Sequence, residues 1–226
     1  MKWKTREITG LAMVSAIAYA IMLVGFRFMA SAPFLKYEAK DVILTIGGFI
    51  YGPLGAIMAS FAVALAEMLT ISETGVIGFL MNFIAAASYA GIASLVYGKL
   101  RTIKGAVAGL VLGSLSLTAV MLLWNYIITP IYMNTPRDIV AAMLLPVFLP
   151  FNLIKAGLNT AFVLLIYKPL TTALRAARLL PERPRQATEP RVQAENTKLT
   201  INAGLLLCAA VLFIVCGIAI YFNVRA

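Results

Sequence analysis

AVAGLVLGSLSLTAVMLLWNYII, residues 106–128, runs for 23 residues without one charged side chain. As a helix it is about 34 Å long, enough to cross a hydrocarbon layer of about 30 Å. Its N-terminal flank is basic (Lys99, Arg101, Lys104) and Pro130 follows its end. This predicts a transmembrane helix, and the pattern recurs outward in both directions. Gly75 to Tyr97 precedes it. Before that come Val42 to Tyr51 and Leu54 to Thr70, parted by the turn signal Gly52-Pro53. The first of this pair holds only 10 residues, too few to span, so irregular backbone here must be buried in protein or line a cavity. The first apolar run is Ile8 to Phe28, after Lys2, Lys4 and Arg6. Ala30-Ser31-Ala32 resembles a signal cleavage site, but a run of about 20 residues fits a span better than a signal core. Downstream, Ile139–Pro150 leads into a sixth span at Phe151 to Tyr167, and a seventh apolar run covers Leu199 to Phe222.

The composition agrees with a bilayer as solvent. Of the 226 residues, 62% are hydrophobic and 12% charged, with a mean hydropathy of +0.92. Soluble domains carry about 25% charged residues. The net charge of +10 does not point to nucleic acid, because the cations sit at the ends of apolar runs. With the N-terminus placed inside, thirteen of the nineteen Lys and Arg fall on the cytoplasmic side, and the C-terminus falls outside. No internal repeat is visible, which argues against an inverted-repeat carrier. The fold class is all-α integral membrane, in three parts: a membrane domain over 1–175, a basic, proline-containing cytoplasmic linker over 176–198, and an added transmembrane helix with a short tail over 199–226.

Several chemistries are excluded. There is no histidine, so the usual zinc sites, haem ligation and Ser-His catalysis are absent. No G-x-x-x-x-G-K-[ST] loop is present, so the chain has no ATP site of that kind. Cys208 and Cys216 lie about 12 Å apart on a helix, too far for a disulfide. They read as small core or lipid-facing residues. No metal or cofactor is expected, and no enzyme activity.

Polar groups inside spans are costly and mark candidate sites. Asn152 and Lys155 share a helical face, and Asn159 lies one turn further on. Asn125 approaches the same end from the preceding helix. Asn offers donor and acceptor, and Lys offers three donors, a set that suits a neutral hydrogen-bonding small molecule. Trp124, Tyr126 and Phe151 are available as flat walls. Asn82 reads equally as interhelical glue. Glu67 either pairs with a cation or reaches interfacial water. The stretch Lys36 to Asp41 is either a lid or a solvated loop. Ala12, Ala16 and Ala20 form a small-residue stripe that admits a close helix partner, internal or from another subunit.

The order of motifs resembles a known family. Lys36-Tyr37-Glu38-Ala39-Lys40-Asp41-Val42 is followed by Ile46-Gly47-Gly48-Phe49, Gly52-Pro53-Leu54-Gly55 and Thr74-Gly75-Val76-Ile77-Gly78 with Asn82-Phe83. Asn125-Tyr126 and Leu149-Pro150-Phe151-Asn152-Leu153-Ile154-Lys155 complete the set. Over about residues 8–175 this resembles the riboflavin-specific substrate-binding (S) components of energy-coupling factor (ECF) transporters. The resemblance implies a six-helix bundle that captures vitamin at its outer face. It implies a membrane scaffold subunit and two cytoplasmic ATPases as partners, with Ala12, Ala16 and Ala20 meeting the scaffold. It places ligand contacts on Asn125, Asn152 and Lys155, with Asp41, Thr45, Ile77 and Gly78 as weaker matches. The chain departs from the pattern at Val63-Ala64, where the family often has Lys-Asn, at Glu38 in place of Asp, and in its linker and seventh run. Other readings stay open: an S component for FMN, with Arg27, Lys36 and Lys40 near the mouth, or for another vitamin or precursor; or a structural membrane protein without a ligand.

Overall fold

The computed structural model describes residues 3–29, 32 and 34–176, and seven positions of the C-terminal run (210, 213, 214, 216, 217, 220 and 221). The linker expected at 176–198 lies, beyond Ala176, outside the described residues. The described chain is helical, with one isolated bridge, Phe26 to Tyr37, in the loop after the first helix.

Five helices follow the apolar runs: α1 (Thr5–Met22), α2 (Lys40–Tyr51), α3 (Pro53–Thr70), α4 (Gly75–Leu100) and α5 (Ile103–Ile127). Two short helices, α6 (Thr129–Tyr132) and α7 (Arg137–Met143), lead through a π-helical stretch, Leu144–Phe148, into α8 (Leu149–Ala176). Among the described residues, four stretches are long and apolar enough to cross a membrane: Pro53–Thr70, Gly75–Leu100, Ile103–Ile127 and Arg137–Tyr167. The polar first turns of α1, with Thr5, Arg6 and Glu7, dilute its apolar run.

α2 has 12 residues and sits in the middle of the bundle, with every residue from Lys40 to Gly48 buried. Helices α1, α3, α4 and α8 surround it. A helix of about 18 Å cannot span the hydrocarbon, and enclosure by its neighbours makes the short length tolerable. Gly52 ends it with φ 86°, a conformation that favours glycine, and Pro53 starts α3 at a position where a missing N–H is harmless.

The sixth span begins earlier than the sequence suggests. The helix continues through both Pro146 and Pro150. The π stretch accommodates them, with the Leu149 N–H donating to the Leu144 carbonyl. Widening the turn from an i−4 to an i−5 bond takes up the misfit of prolines that lack a donor and crowd the preceding turn.

Gly109 and Gly113, one turn apart, set the contact between α4 and α5. A Cβ on Gly109 would meet the Ala93 carbonyl oxygen at 2.6 Å, and one on Gly113 the Tyr89 carbonyl oxygen at 2.7 Å. Backbones therefore touch here, as small residues allow in lipid-embedded helices.

Candidate binding site

Among the described residues, the buried charged and amide side chains gather at one end of the bundle. There the end of α1, the start of α2, the end of α3 and the start of α4 meet. Lys40 makes the junction. Its ammonium lies 2.6 Å from Glu67 Oε2, 2.8 Å from Glu38 Oε2 and 3.4 Å from Met22 Sδ. Asn82 donates to the other Glu67 oxygen at 2.7 Å. Lys40 is 2% exposed, so this charge is held by partners rather than water. Lys36 reaches Glu38 from the rim at 3.4 Å.

A second chain of contacts ties α2 to α8. Asp41 Oδ2 lies 3.4 Å from both Lys155 Nζ and Asn159 Nδ2. Asn159 Oδ1 accepts from the Tyr37 hydroxyl at 3.0 Å. Burial, with Asp41 nearby, pushes the Tyr37 phenol above its ordinary range, so it remains a donor. Asp41 Oδ1 is buried and is the one such side-chain atom among the described residues without a hydrogen-bond partner. A buried carboxylate oxygen without a donor is a place where a ligand donor is expected.

The described loop residues 26–29 and 34–39 pack over this end. Tyr37 and Glu38 are buried and Lys36 is partly exposed, so this part of the loop is packed rather than solvated. Mutual backbone bonds between Phe26 and Tyr37, at 2.9 and 3.1 Å, make it a strap. Burial raises the Glu38 carboxyl, and the ammoniums of Lys40, Lys155 and Lys36 outweigh that, holding it below the usual carboxylate value.

Of the residues singled out from sequence, Asp41 and Lys155 are in direct contact, with Asn159 beside them. Thr45 is fully buried one turn below, its hydroxyl donating to the Asp41 carbonyl at 2.6 Å. Asn125 and Asn152 are buried, and each donates into its own helix, to Met121 and Phe148. Asn125 Oδ1 also accepts from Thr129. These bonds fix both amides but do not join them to Lys155. Ile77 and Gly78 lie in the first turn of α4, beside Thr74. Phe151 stacks on Phe28 at 5.3 Å, Trp124 is partly buried, and Tyr126 is exposed beneath Arg137. Ala12, Ala16 and Ala20 are all exposed, along one side of α1. Arg27 is exposed.

Sequence reasoning missed Lys40 as a hub and Tyr37 as the partner of Asn159. The available signal was the excess of charge in the short segment from Lys36 to Asp41, immediately before a helix that is otherwise apolar.

Comparison with known proteins gives this arrangement its context. Residues 6–167 match the family described as ECF transporter, substrate-specific component. The chain is 31% identical over 188 residues to the riboflavin transporter FmnP of Bacillus subtilis, covering 78% of this chain and 99% of that one. It is 28% identical to the riboflavin transporter RibU of Staphylococcus aureus, covering 77% of this chain and 95% of the relative. A solved S component of a bacterial ECF transporter superposes with a TM-score of 0.64 at 27% identity, over 76% of this chain and 99% of that structure. A match across the whole bundle, together with a helical fold shared with a solved member, shows that the chain belongs to the membrane-embedded substrate-specific components of ECF transporters.

Proposed function

We propose that the chain captures riboflavin at the end of the bundle where Asp41, Asn152 and Lys155 lie, and delivers it to an ATP-driven import complex. The observation that carries this reading is the unpartnered Asp41 Oδ1 beside the Lys155 ammonium. Riboflavin has hydroxyls and an imide N–H to donate to a carboxylate, and carbonyl and hydroxyl oxygens to accept from an ammonium. Its flat ring needs apolar walls, for which Trp124 and Phe151 are candidates. Asn125, Thr45, Ile77 and Gly78 belong to the proposed contact set, as residues of the same end of the bundle. The riboflavin transporters of Bacillus and Staphylococcus are relatives over nearly their whole lengths, which supports the same ligand here.

The charge count supports an outer position for this end, with the N-terminus in the cytoplasm. The exposed stripe of Ala12, Ala16 and Ala20 supports a close helix contact with a scaffold subunit, and cytoplasmic ATPases would act through that scaffold. The reading is one of binding and hand-over rather than catalysis.

Titration of riboflavin fluorescence with purified protein tests the proposal. Wild-type protein is expected to quench saturably, and the Asn152→Ala/Lys155→Ala variant to bind at least about a hundredfold more weakly, by loss of two polar contacts of about 1.5 kcal/mol each. Absence of quenching by folded, ligand-free wild-type protein overturns the flavin assignment.

A further inference from the structure

The C-terminal run is the part of the chain that the family leaves unexplained. The family match ends at residue 167, and FmnP is spanned over 99% of its length by 78% of this chain. The described positions of this run are helical. Phe213, Cys216 and Ile220, spaced three and four apart, pack into the core, whereas Ile214 and Tyr221 are 62% and 51% exposed. That is one face of a helix docked and another left outward.

The docking partner is α8. The Phe213 ring meets Phe162 edge-on at 4.8 Å. A Cβ on Gly157 would meet Cys216 Sγ at 2.9 Å, and the same sulfur lies 3.9 Å from the Ile154 carbonyl oxygen. As the number rises from 213 to 216, the α8 partner falls from 162 to 157 and 154, so the two segments run antiparallel. A glycine inside a helix costs about 1 kcal/mol relative to alanine. The notch it opens at 157 is filled by the Cys216 side chain, which gives this glycine a packing role.

The same cluster reaches the strap. Phe28, Met29 and Tyr37 share it with Phe151, Ile154 and Cys216, and Tyr37 holds Asn159 beside Asp41. We propose that the C-terminal run is a seventh member of the binding bundle: its Phe213–Cys216–Ile220 face clamps α8 and backs the strap, keeping Tyr37 on Asn159 and slowing release of ligand. The last step rests on the riboflavin reading; the clamp itself does not.

The test uses the full chain in lipid nanodiscs. With Gly157→Cys in a Cys208→Ser background, oxidation by copper phenanthroline is expected to join Gly157→Cys to Cys216 within one chain, seen as the loss of two thiols and of two hydrogens in mass. Gly157→Leu or, from the other side, Cys216→Trp blocks the seat. Either is expected to speed hydrogen exchange at the Phe26 and Tyr37 amides about tenfold or more, and riboflavin dissociation with it. Failure of the disulfide, or unchanged exchange in both blocking variants, overturns the clamp. Unchanged riboflavin dissociation despite faster exchange overturns its role in retention. Wild-type protein that binds no riboflavin removes the ligand reading and the retention step with it, while the disulfide and exchange results still decide the clamp.

Discussion

Lys40, in the first turn of α2, lies 2.6 Å from Glu67 on α3. Its other carboxylate partner, Glu38, comes from the strap. One buried ammonium thus ties the strap and two helices together. Removing one partner of a buried ion pair is more damaging than replacing the whole pair, because the remaining charge is stranded. Lys40→Met is expected to destabilise the protein by about 3–5 kcal/mol, and Lys40→Met/Glu67→Gln by less. Thermal unfolding in detergent, followed by loss of the monodisperse peak, reads both. A double variant less stable than the single one would contradict this assignment.

The pairing of Lys155 with Asp41 predicts a different phenotype. Asp41→Asn preserves shape but removes the charge that faces Lys155 and halves the acceptor capacity of the site. Riboflavin binding is expected to weaken by about tenfold to a hundredfold, equivalent to about 1.4–2.8 kcal/mol. Isothermal titration at neutral pH measures it, and equal affinity in wild type and variant would separate Asp41 from the proposed site.

How much of this was legible beforehand depends on which physics each feature obeys. The spans follow from hydropathy, a local property, so α3, α4 and α5 begin and end within a few residues of their apolar runs. The shortness of α2 was legible as a demand for enclosure, and its neighbours meet it. The role of Lys40 was not legible. Its partner Glu67 is 27 positions away, and no periodicity within one helix specifies pairing between two. Nor was the passage of the sixth span through Pro146 and Pro150, because proline chemistry predicts a break and a π turn is the rarer answer. At the candidate site, residue type and helical face brought out Lys155 and Asn152. The partner of Asn159, Tyr37, lies 122 positions away in a loop and needed coordinates.

Glu38 gives the protein an acid-sensitive contact. Its carboxyl is held below the ordinary value of 4.5 by the surrounding lysines, against the effect of burial. A depressed folded-state value means that the contribution to stability is complete above the unfolded-state value and is lost as pH falls through the folded one. The contribution of Glu38 is therefore expected to fade below about pH 4.5. Comparing melting temperatures of wild type and Glu38→Gln from pH 7 to pH 3 tests this: the gap between them should narrow on acidification. A gap that stays constant would place the working charge elsewhere.

Tyr37 and Asn159 allow a finer test of how the strap is held. The Tyr37 hydroxyl is the strap's polar contact to Asn159, and Asn159 in turn donates to Asp41. Tyr37→Phe keeps the ring in its cluster with Phe26, at 5.2 Å, and deletes only the hydroxyl. The expected loss is about 1 kcal/mol, with a further penalty where Asn159 Oδ1 is left without its donor. Asn159→Leu removes the amide from both Tyr37 and Asp41, leaving the Tyr37 hydroxyl and one more position on Asp41 buried without partners, and is expected to destabilise by about 2–3 kcal/mol. The two losses should not add in the double variant, because both delete the same bond. Additive effects would mean that the hydroxyl and the amide act independently.

The α4–α5 contact supplies the most direct check on packing. A Cβ at Gly109 or Gly113 runs into backbone carbonyl oxygens of Ala93 and Tyr89 at 2.6 and 2.7 Å. Backbone cannot rotate aside as a side-chain tip does, so the helices must separate. Gly109→Val is expected to destabilise by about 1–3 kcal/mol, the usual range for overpacking. Gly98→Ala is the control, because nothing lies within 4 Å of its added Cβ, and helix propensity alone favours alanine by about 1 kcal/mol. The two glycine replacements should therefore move thermal stability in opposite directions. If Gly109→Val instead stabilises as Gly98→Ala does, the helices are not in backbone contact at that position.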